Sequence, residues 1–159
     1  MLFRSIRVFS QSKRGAAATR NVGIWKARGD LVLFIDDDIL AESNLIEAHL
    51  KYHEQNPKSS IVGAVVSPWE NSTDPFLRYL RDREIFSPYN LSHGAMDFSY
   101  YHTGNVSTDR KMLQEVGGFN EDFFFYGMED IELGYRLEKH GSRMVSGTAR
   151  SEEHTSELQ

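Results

Sequence analysis

Apolar residues along the chain fall into two patterns. Leu31-Val-Leu-Phe-Ile35 and Ile61-Val-Gly-Ala-Val-Val66 contain no polar side chain. Unbroken apolar runs of this length fit strands buried on both faces of a helix-covered sheet. Ile6-Arg7-Val8-Phe9 is shorter and reads as a further strand. Between these runs the spacing becomes helical. Gly15 to Arg28 carries alanines and spaced apolar residues, opened by Gly15 and closed by Gly29. Glu42 to Gln55 places Leu45, Ile46, His49, Leu50 and His53 on one side, and Pro57 ends it. Pro75 opens a third helix over Phe76 to Arg81, Asp109 to Val116 makes a fourth, and Glu129 to Leu137 a fifth with Gly141 as carboxyl cap. Strands alternating with helices predict right-handed βαβ units, and so an α/β domain with a mostly parallel sheet.

One segment resists this scheme. Ser87 to His102 is rich in Tyr, Ser, His and Gly and has no period. Such stretches in compact domains are commonly functional. Tyr89, Phe98, Tyr100 and Tyr101 either stack on sugar rings or close a small core, and the pattern does not choose between them. His49 and His53 are four apart and could chelate a metal. No third ligand follows at a recognised spacing, so they read as partly buried helix residues.

Composition narrows the class. The 159 residues are 40% hydrophobic and 26% charged, as in one soluble globular domain with a sizeable core. There is no cysteine, which excludes disulfides and thiolate metal sites. No apolar run approaches the roughly 20 residues of a membrane span. A net charge of −5 argues against nucleic acid as partner. The last ten residues, Arg150 to Gln159, follow no pattern set by the preceding sequence and resemble the translation of a sequencing-adapter oligonucleotide. The expected domain is therefore 1–149, with 150–159 disordered outside it.

The candidate chemistry begins where the first long strand should leave the sheet, at Asp36-Asp37-Asp38. In open α/β sheets ligands bind at the carboxyl ends of strands. Adjacent carboxylates repel one another, and a hard divalent cation relieves that repulsion. A solvated acidic turn capping the next helix is the alternative. Lys13, Arg14 and Arg20 around the start of the first helix could hold phosphates, or lie in water on a helix packed against the sheet. Glu129 and Asp130 open the last helix, where the helix dipole favours negative charge. They could equally provide a general base beside Gly127, which leaves room for substrate.

Three motifs thus stand in order: Gly15…Arg20-Asn21-Val22-Gly23, Asp36-Asp37-Asp38, and Gly117-Gly118-Phe119…Glu129-Asp130. Together they resemble glycosyltransferase family 2, inverting enzymes of the GT-A fold. The segment from Gly104-Asn105-Val106-Ser107 to Leu133 is also similar to the carboxyl-terminal part of galactosyl- and N-acetylgalactosaminyltransferases. The resemblance covers roughly residues 6–145. It implies an incomplete, Rossmann-like three-layer fold, since the family opens with a nucleotide-binding strand-helix-strand unit that this sequence is expected to lack. It implies transfer of a sugar from a nucleotide-sugar donor, UDP-linked, to a glycan or other hydroxyl, with Mn²⁺ or Mg²⁺ as cofactor. Asp38 and Asp36 would hold the cation. Arg20, Asn21, Asp36 and Asp37 would face the donor, and Gly104, Asn105 and Gly127 would line the substrate site. Glu129 would bind sugar hydroxyls, and Asp130 would be the catalytic base. Where some relatives carry Trp before the Gly-x-Glu-Asp element this chain has Tyr126, and where the related galactosyltransferases supply a metal-ligand histidine beyond that helix this chain runs into the suspect tail. The expected location is cytoplasmic or peripheral at a membrane. A carbohydrate- or nucleotide-binding module without turnover is the second reading; it has no need for both Asp38 and Asp130.

Overall fold

The computed structural model describes residues 6–66, 72–82, 95–124 and 127–153. In chain order these form α1 (Gly15–Lys26), β1 (Leu31–Ile35), β2 (Ile39–Ala41), α2 (Leu45–Gln55), β3 (Ser59–Val66), α3 (Pro75–Asp82) and β4 (Ala95–Met96). A 3₁₀ turn (Phe98–Tyr100), β5 (Asn105–Asp109), α4 (Arg110–Glu115), α5 (Glu129–Lys139) and β6 (Arg143–Glu153) follow. The sheet order is β1-β5-β3-β6-β2, with β4 added against β6.

The expected α/β architecture is present, but the mostly parallel sheet is not. Among the described strands only β3 and β6 pair in parallel. β5 enters between β1 and β3 and runs antiparallel to both. β1 and β3 therefore do share a direction, as a helical crossover requires, without being neighbours.

β5 is also why the pattern misled. Its residues, Asn-Val-Ser-Thr-Asp, are mostly polar, yet Asn105 to Thr108 are all buried. Alternation sends them to opposite faces. Val106 joins a core of Ala17, Ile24, Phe34, Val62, Tyr101, Leu113, Phe119, Leu133, Leu137 and Met144, drawn from the helices α1, α4 and α5 and the sheet face beneath. Thr108 on the same face bonds Ser60 (2.9 Å) and the Tyr101 hydroxyl (3.0 Å). Tyr101 is fully buried, so of the two readings for it the core one holds. Complete desolvation pushes its phenol well above the ordinary range. Asn105 and Ser107 point the other way, towards α2.

That second face satisfies its polar groups through one chain of bonds. The Asn105 amide donates to the Ala64 carbonyl (3.1 Å), which leaves its oxygen to accept from Nε2 of His49 (2.9 Å). Nδ1 of His49 then accepts from the Ser107 hydroxyl (2.8 Å), whose oxygen accepts from Nε2 of His53 (2.8 Å). Burial lowers the pKa of both imidazoles and so favours the neutral His49 that accepts at Nδ1. The histidines are thus structural, as their spacing implied.

α5 is closed at its carboxyl end and pinned in its middle. Gly141, at φ +99°, closes it with Ser142 N–H on the Leu137 carbonyl (2.9 Å) and Gly141 N–H on that of Glu138 (3.0 Å), a Schellman cap. In the middle, a Cβ on Gly134 would sit 2.6 Å from Tyr101 Cβ and 2.7 Å from the Phe98 carbonyl oxygen, so only glycine allows this packing. Burying Leu133 and Leu137 beside it stabilises the fold by about 1.5–3 kcal/mol each.

Other expectations are corrected. Ile6 to Phe9 pairs with no strand among the described residues, and Ile6 and Val8 are 87% and 83% exposed. A main-chain ladder accepts almost any side chain, so residues 150–153 end β6 in register with β3 and β2 rather than lying outside the fold. Tyr89, Tyr126 and residues 154–159 lie outside the described residues. No described helix is long and apolar enough to cross a membrane.

The histidine chain predicts an acid-sensitive fold. Burial, then the neighbouring His49, lowers the His53 pKa from 6.5 to about 4 against the pull of Asp109. Burial lowers that of His49 as well. The unfolded chain therefore takes up protons as pH falls through 6.5, whereas folded His53 does so only near 4. The unfolded state binds more protons across that window, so stability is lost on acidification. Urea midpoints should fall between pH 7 and 4.5, and less steeply in His53→Gln.

Candidate functional site

The carboxyl end of β1 and the start of β5 meet, because Ile35 pairs with Asn105. Asp36 follows Ile35, and Gly104 precedes Asn105. A Cβ on Gly104 would lie 3.4 Å from Asp36 Oδ2, so glycine lets the backbone approach the carboxylate. Asp37 and Asp38 form the exposed turn into β2.

The electrostatics converge on Asp36. Partial desolvation raises its pKa, and the charges of Asp38, Asp37 and Asp130 raise it further, while Arg20 opposes them. Residues from α1, the acidic turn and α5 thus act on one carboxyl group. Among the described residues no three His, Cys, Asp or Glu side chains converge to hold a metal. The acidic turn offers only carboxylate oxygens, which suit Mg²⁺ or Mn²⁺. Such ions commonly take one or two carboxylates and complete their shell with water and substrate phosphates.

Arg20 reaches this place from the second turn of α1. Its Nη1 donates to Glu129 Oε1 at 2.7 Å, and its guanidinium lies over the Phe119 ring at 5.5 Å. Glu129 Oε2 accepts from the Gly127 N–H at 2.9 Å, so both its oxygens are engaged, and the residue is 3% exposed. Gly127 takes φ +116° to allow this, and Met128 follows at φ +70°, a left-handed conformation uncommon for a side-chain-bearing residue. Strained backbone of this kind clusters at functional sites.

Asp130 sits next to that pair with Oδ1 accepting from the Ile131 N–H at 2.8 Å and Oδ2 lying 3.6 Å from Nδ1 of His102. Partial burial works to raise its pKa. The His102 imidazole and the backbone N–H groups at the helix start outweigh it and hold the carboxyl below the ordinary range. A base function here cannot come from a raised carboxylate pKa and must come from position.

Two predicted ligand residues have other tasks. Asn21 donates to the Phe119 carbonyl (2.9 Å) and Glu121 Oε1 (3.0 Å), and its oxygen accepts from the Phe119 N–H (2.7 Å). The amide is fully committed to the Gly117-Gly118-Phe119 turn, where a Cβ on Gly118 would come within 2.5 Å of that oxygen. Asn105 is committed to Ala64 and His49 and is 2% exposed. Sequence reasoning missed His102, whose one signal was adjacency to the Thr103-Gly104 turn. A hollow of about 410 Å³ lined by Lys13, Arg14, Gly15, Ala16, Thr19 and Arg20 opens at the start of α1. A second, of about 400 Å³, follows the outer side of α2 and touches none of these groups.

The family model described as glycosyltransferase like family 2 matches residues 5–154. Validoxylamine A glucosyltransferase of Streptomyces hygroscopicus subsp. jinggangensis is 31% identical over 153 residues, which take in 81% of this chain and 36% of that protein. GalNAc-T7, solved with UDP, GalNAc and Mn²⁺, matches with a TM-score of 0.64 at 15% identity, over 91% of this chain and 31% of that one. The mannosyltransferase PcManGT from Pyrobaculum calidifontis, in complex with GDP-Man and Mn²⁺, matches at 0.61 and 18%, over 95% and 39%. These two likenesses show that the fold is that of GT-A glycosyltransferases. The chain spans 31–39% of the length of the three.

The Arg20–Glu129 pair, with side chains 20% and 4% exposed, predicts a stability test. Arg20→Leu strands a buried carboxylate and should cost about 3–5 kcal/mol in urea unfolding. Adding Glu129→Leu should recover much of that loss.

Proposed function

The chain belongs to the glycosyltransferase like family 2, and on that premise we propose that it forms the core of a divalent-cation-dependent inverting transferase. The donor is a nucleotide sugar, UDP-linked, and the acceptor a glycan hydroxyl. The observation that carries this reading is the junction where β1 ends at the acidic turn and β5 begins, with Gly104 set against Asp36 so closely that a Cβ there would lie 3.4 Å from Oδ2. A donor diphosphate needs positive charge, and an acceptor hydroxyl needs a proton acceptor on the far side of the anomeric carbon.

Asp38 and Asp36 hold the cation, with Asp37 and Gly104 beside the donor. Bound there, Mg²⁺ or Mn²⁺ supplies charge neutralisation for the departing diphosphate. The Mn²⁺ in the GalNAc-T7 and PcManGT structures supports a divalent-cation cofactor. Lys13, at the hollow at the start of α1, provides further positive charge for phosphate oxygens, whereas Arg14 beside it is paired with Glu121 at 2.7 Å. Arg20 balances the local carboxylates, and its bond to Glu129 fixes the first turn of α5. Asn21 and Asn105 act indirectly, by holding the glycine turn and the start of β5. Gly127 leaves open space beside Glu129, where a Cβ would meet nothing within 4 Å. Asp130 supplies the basic function on the acceptor side. With the proton removed there and the leaving group held opposite, a single displacement inverts the anomeric centre.

In the full-length protein, Asp38→Asn should weaken Mn²⁺-dependent binding of the nucleotide-sugar donor by at least about tenfold, or 1.4 kcal/mol, in calorimetric titration. Asp130→Asn should leave that binding nearly unchanged and lower transfer by about 10²–10⁴-fold. Donor binding indifferent to Asp38, or transfer indifferent to Asp130, contradicts the reading. Donor binding without transfer in the unmodified protein identifies a binding module instead.

A further inference from the structure

His102 stands immediately before the Thr103-Gly104 turn into β5, and it brings an imidazole to Asp130. Nδ1 of His102 and Oδ2 of Asp130 are 3.6 Å apart, and the other carboxylate oxygen is taken by the Ile131 N–H. Only 18% of the Asp130 side chain is exposed, against 51% for His102. Nε2 of His102 has no partner among the described residues. An acceptor hydroxyl entering the site therefore meets the imidazole more readily than the carboxylate.

We propose that His102 is a further catalytic residue, whose Nε2 takes the acceptor's proton while Asp130 behind it holds the imidazole in the Nδ1–H tautomer. This rests on the transferase reading above and names the atom that performs its basic step. A carboxylate bonded to one imidazole nitrogen fixes the tautomer and stabilises the imidazolium that forms. Imidazole is also the side chain whose ordinary titration range suits proton transfer near neutral pH. The separation of 3.6 Å is long for a hydrogen bond, but such contacts are commonly loose without substrate and tighten when it binds. The lowered pKa of Asp130 agrees, because a carboxylate stabilised in this way is a weaker base.

Among the described residues, the other ionisable groups around the pair are Asp36 on the acidic turn, Tyr101 at the approach to β5, and Arg20 with Glu129. Tyr101 stays neutral, and Arg20 is matched by Glu129. In the step itself the acceptor oxygen bonds to the anomeric carbon. The bond from that carbon to the diphosphate oxygen breaks, and its electron pair leaves with the diphosphate. The hydroxyl proton passes to Nε2 and is released to water after the products depart.

Two readouts test this in the full-length protein. Long-range ¹H–¹⁵N spectra should show His102 as the Nδ1–H tautomer, and Asp130→Asn should abolish that preference. An Nε2–H tautomer in the unmodified protein overturns the proposal. The second readout is nucleoside diphosphate release from UDP-glucose, UDP-N-acetylgalactosamine or GDP-mannose with Mn²⁺, with free hexoses as acceptors. kcat/KM should fall on the acid side along a one-proton limb. His102→Gln should lose about 10²–10⁴-fold in kcat and lose that limb, with donor affinity unchanged. Turnover within a few-fold of the unmodified protein, with the limb intact, overturns the role of His102 alone. No release from any of the three donors overturns the transferase reading and this role together.

Discussion

A polar strand at the centre of the sheet is the constraint on which the rest depends. β5 lies between β1 and β3 with Asn105, Ser107 and Thr108 out of water, and each must find partners or cost about 1–3 kcal/mol. One face finds them in His49 and His53, the other in Ser60 and Tyr101. Those bonds select a single register, since a one-residue slip would exchange the two faces. Ser59 Oγ is the one buried side-chain polar atom without a partner among the described residues. Register also sets the candidate site: the residues leading into β5 place Gly104 against Asp36 and His102 against Asp130.

Around that strand the site is assembled from segments far apart in sequence. Arg20 and Glu129 are 109 positions apart, and Asn21 and Phe119 are 98 apart. Their bonds fasten α1 to the turn before α5 and so fix where Asp130 stands. The outcome is an excess of negative charge. Asp36, Asp37, Asp38 and Asp130 share a region in which Arg20 is the counter-charge acting on Asp36, and Arg20 is already paired with Glu129. The proposed metal-bound nucleoside diphosphate would bring a cation to offset that excess.

Much of this was legible in the sequence, and the failures are physical. β3, α1 and α5 were visible because their burial is mainly apolar. β1 shows the same unbroken run but lies at the sheet edge, with only Phe34 buried and Ile35 41% exposed. α2 buries Leu45 and His49 while Ile46 and Leu50 face outwards. β5 was not visible, because its burial is satisfied by hydrogen bonds rather than by hydrophobic side chains. The parallel sheet was inferred from a crossover rule that sets direction, whereas adjacency depends on which strand is inserted between. Motif order grouped Asp36, Gly104, Glu129 and Asp130, and the fold sets Gly104 against Asp36 with Asp130 acting on the same carboxyl group. Asn21 and Asn105 come from the same motifs, but their amides brace the site from within. Motif membership could not separate touching a ligand from holding a turn.

Two opposed positions define the proposed reaction: the leaving diphosphate is held at the acidic turn, and the acceptor's proton is removed from the other side, at Asp130 and its imidazole. The stereochemistry of the product tests that opposition most directly. Proton NMR of the glycosidic linkage formed by the full-length protein from an α-linked nucleotide sugar should show the β configuration at the anomeric carbon. An α-linked product would require a second displacement or attack from the leaving-group face, and would contradict the opposed placement of donor and base.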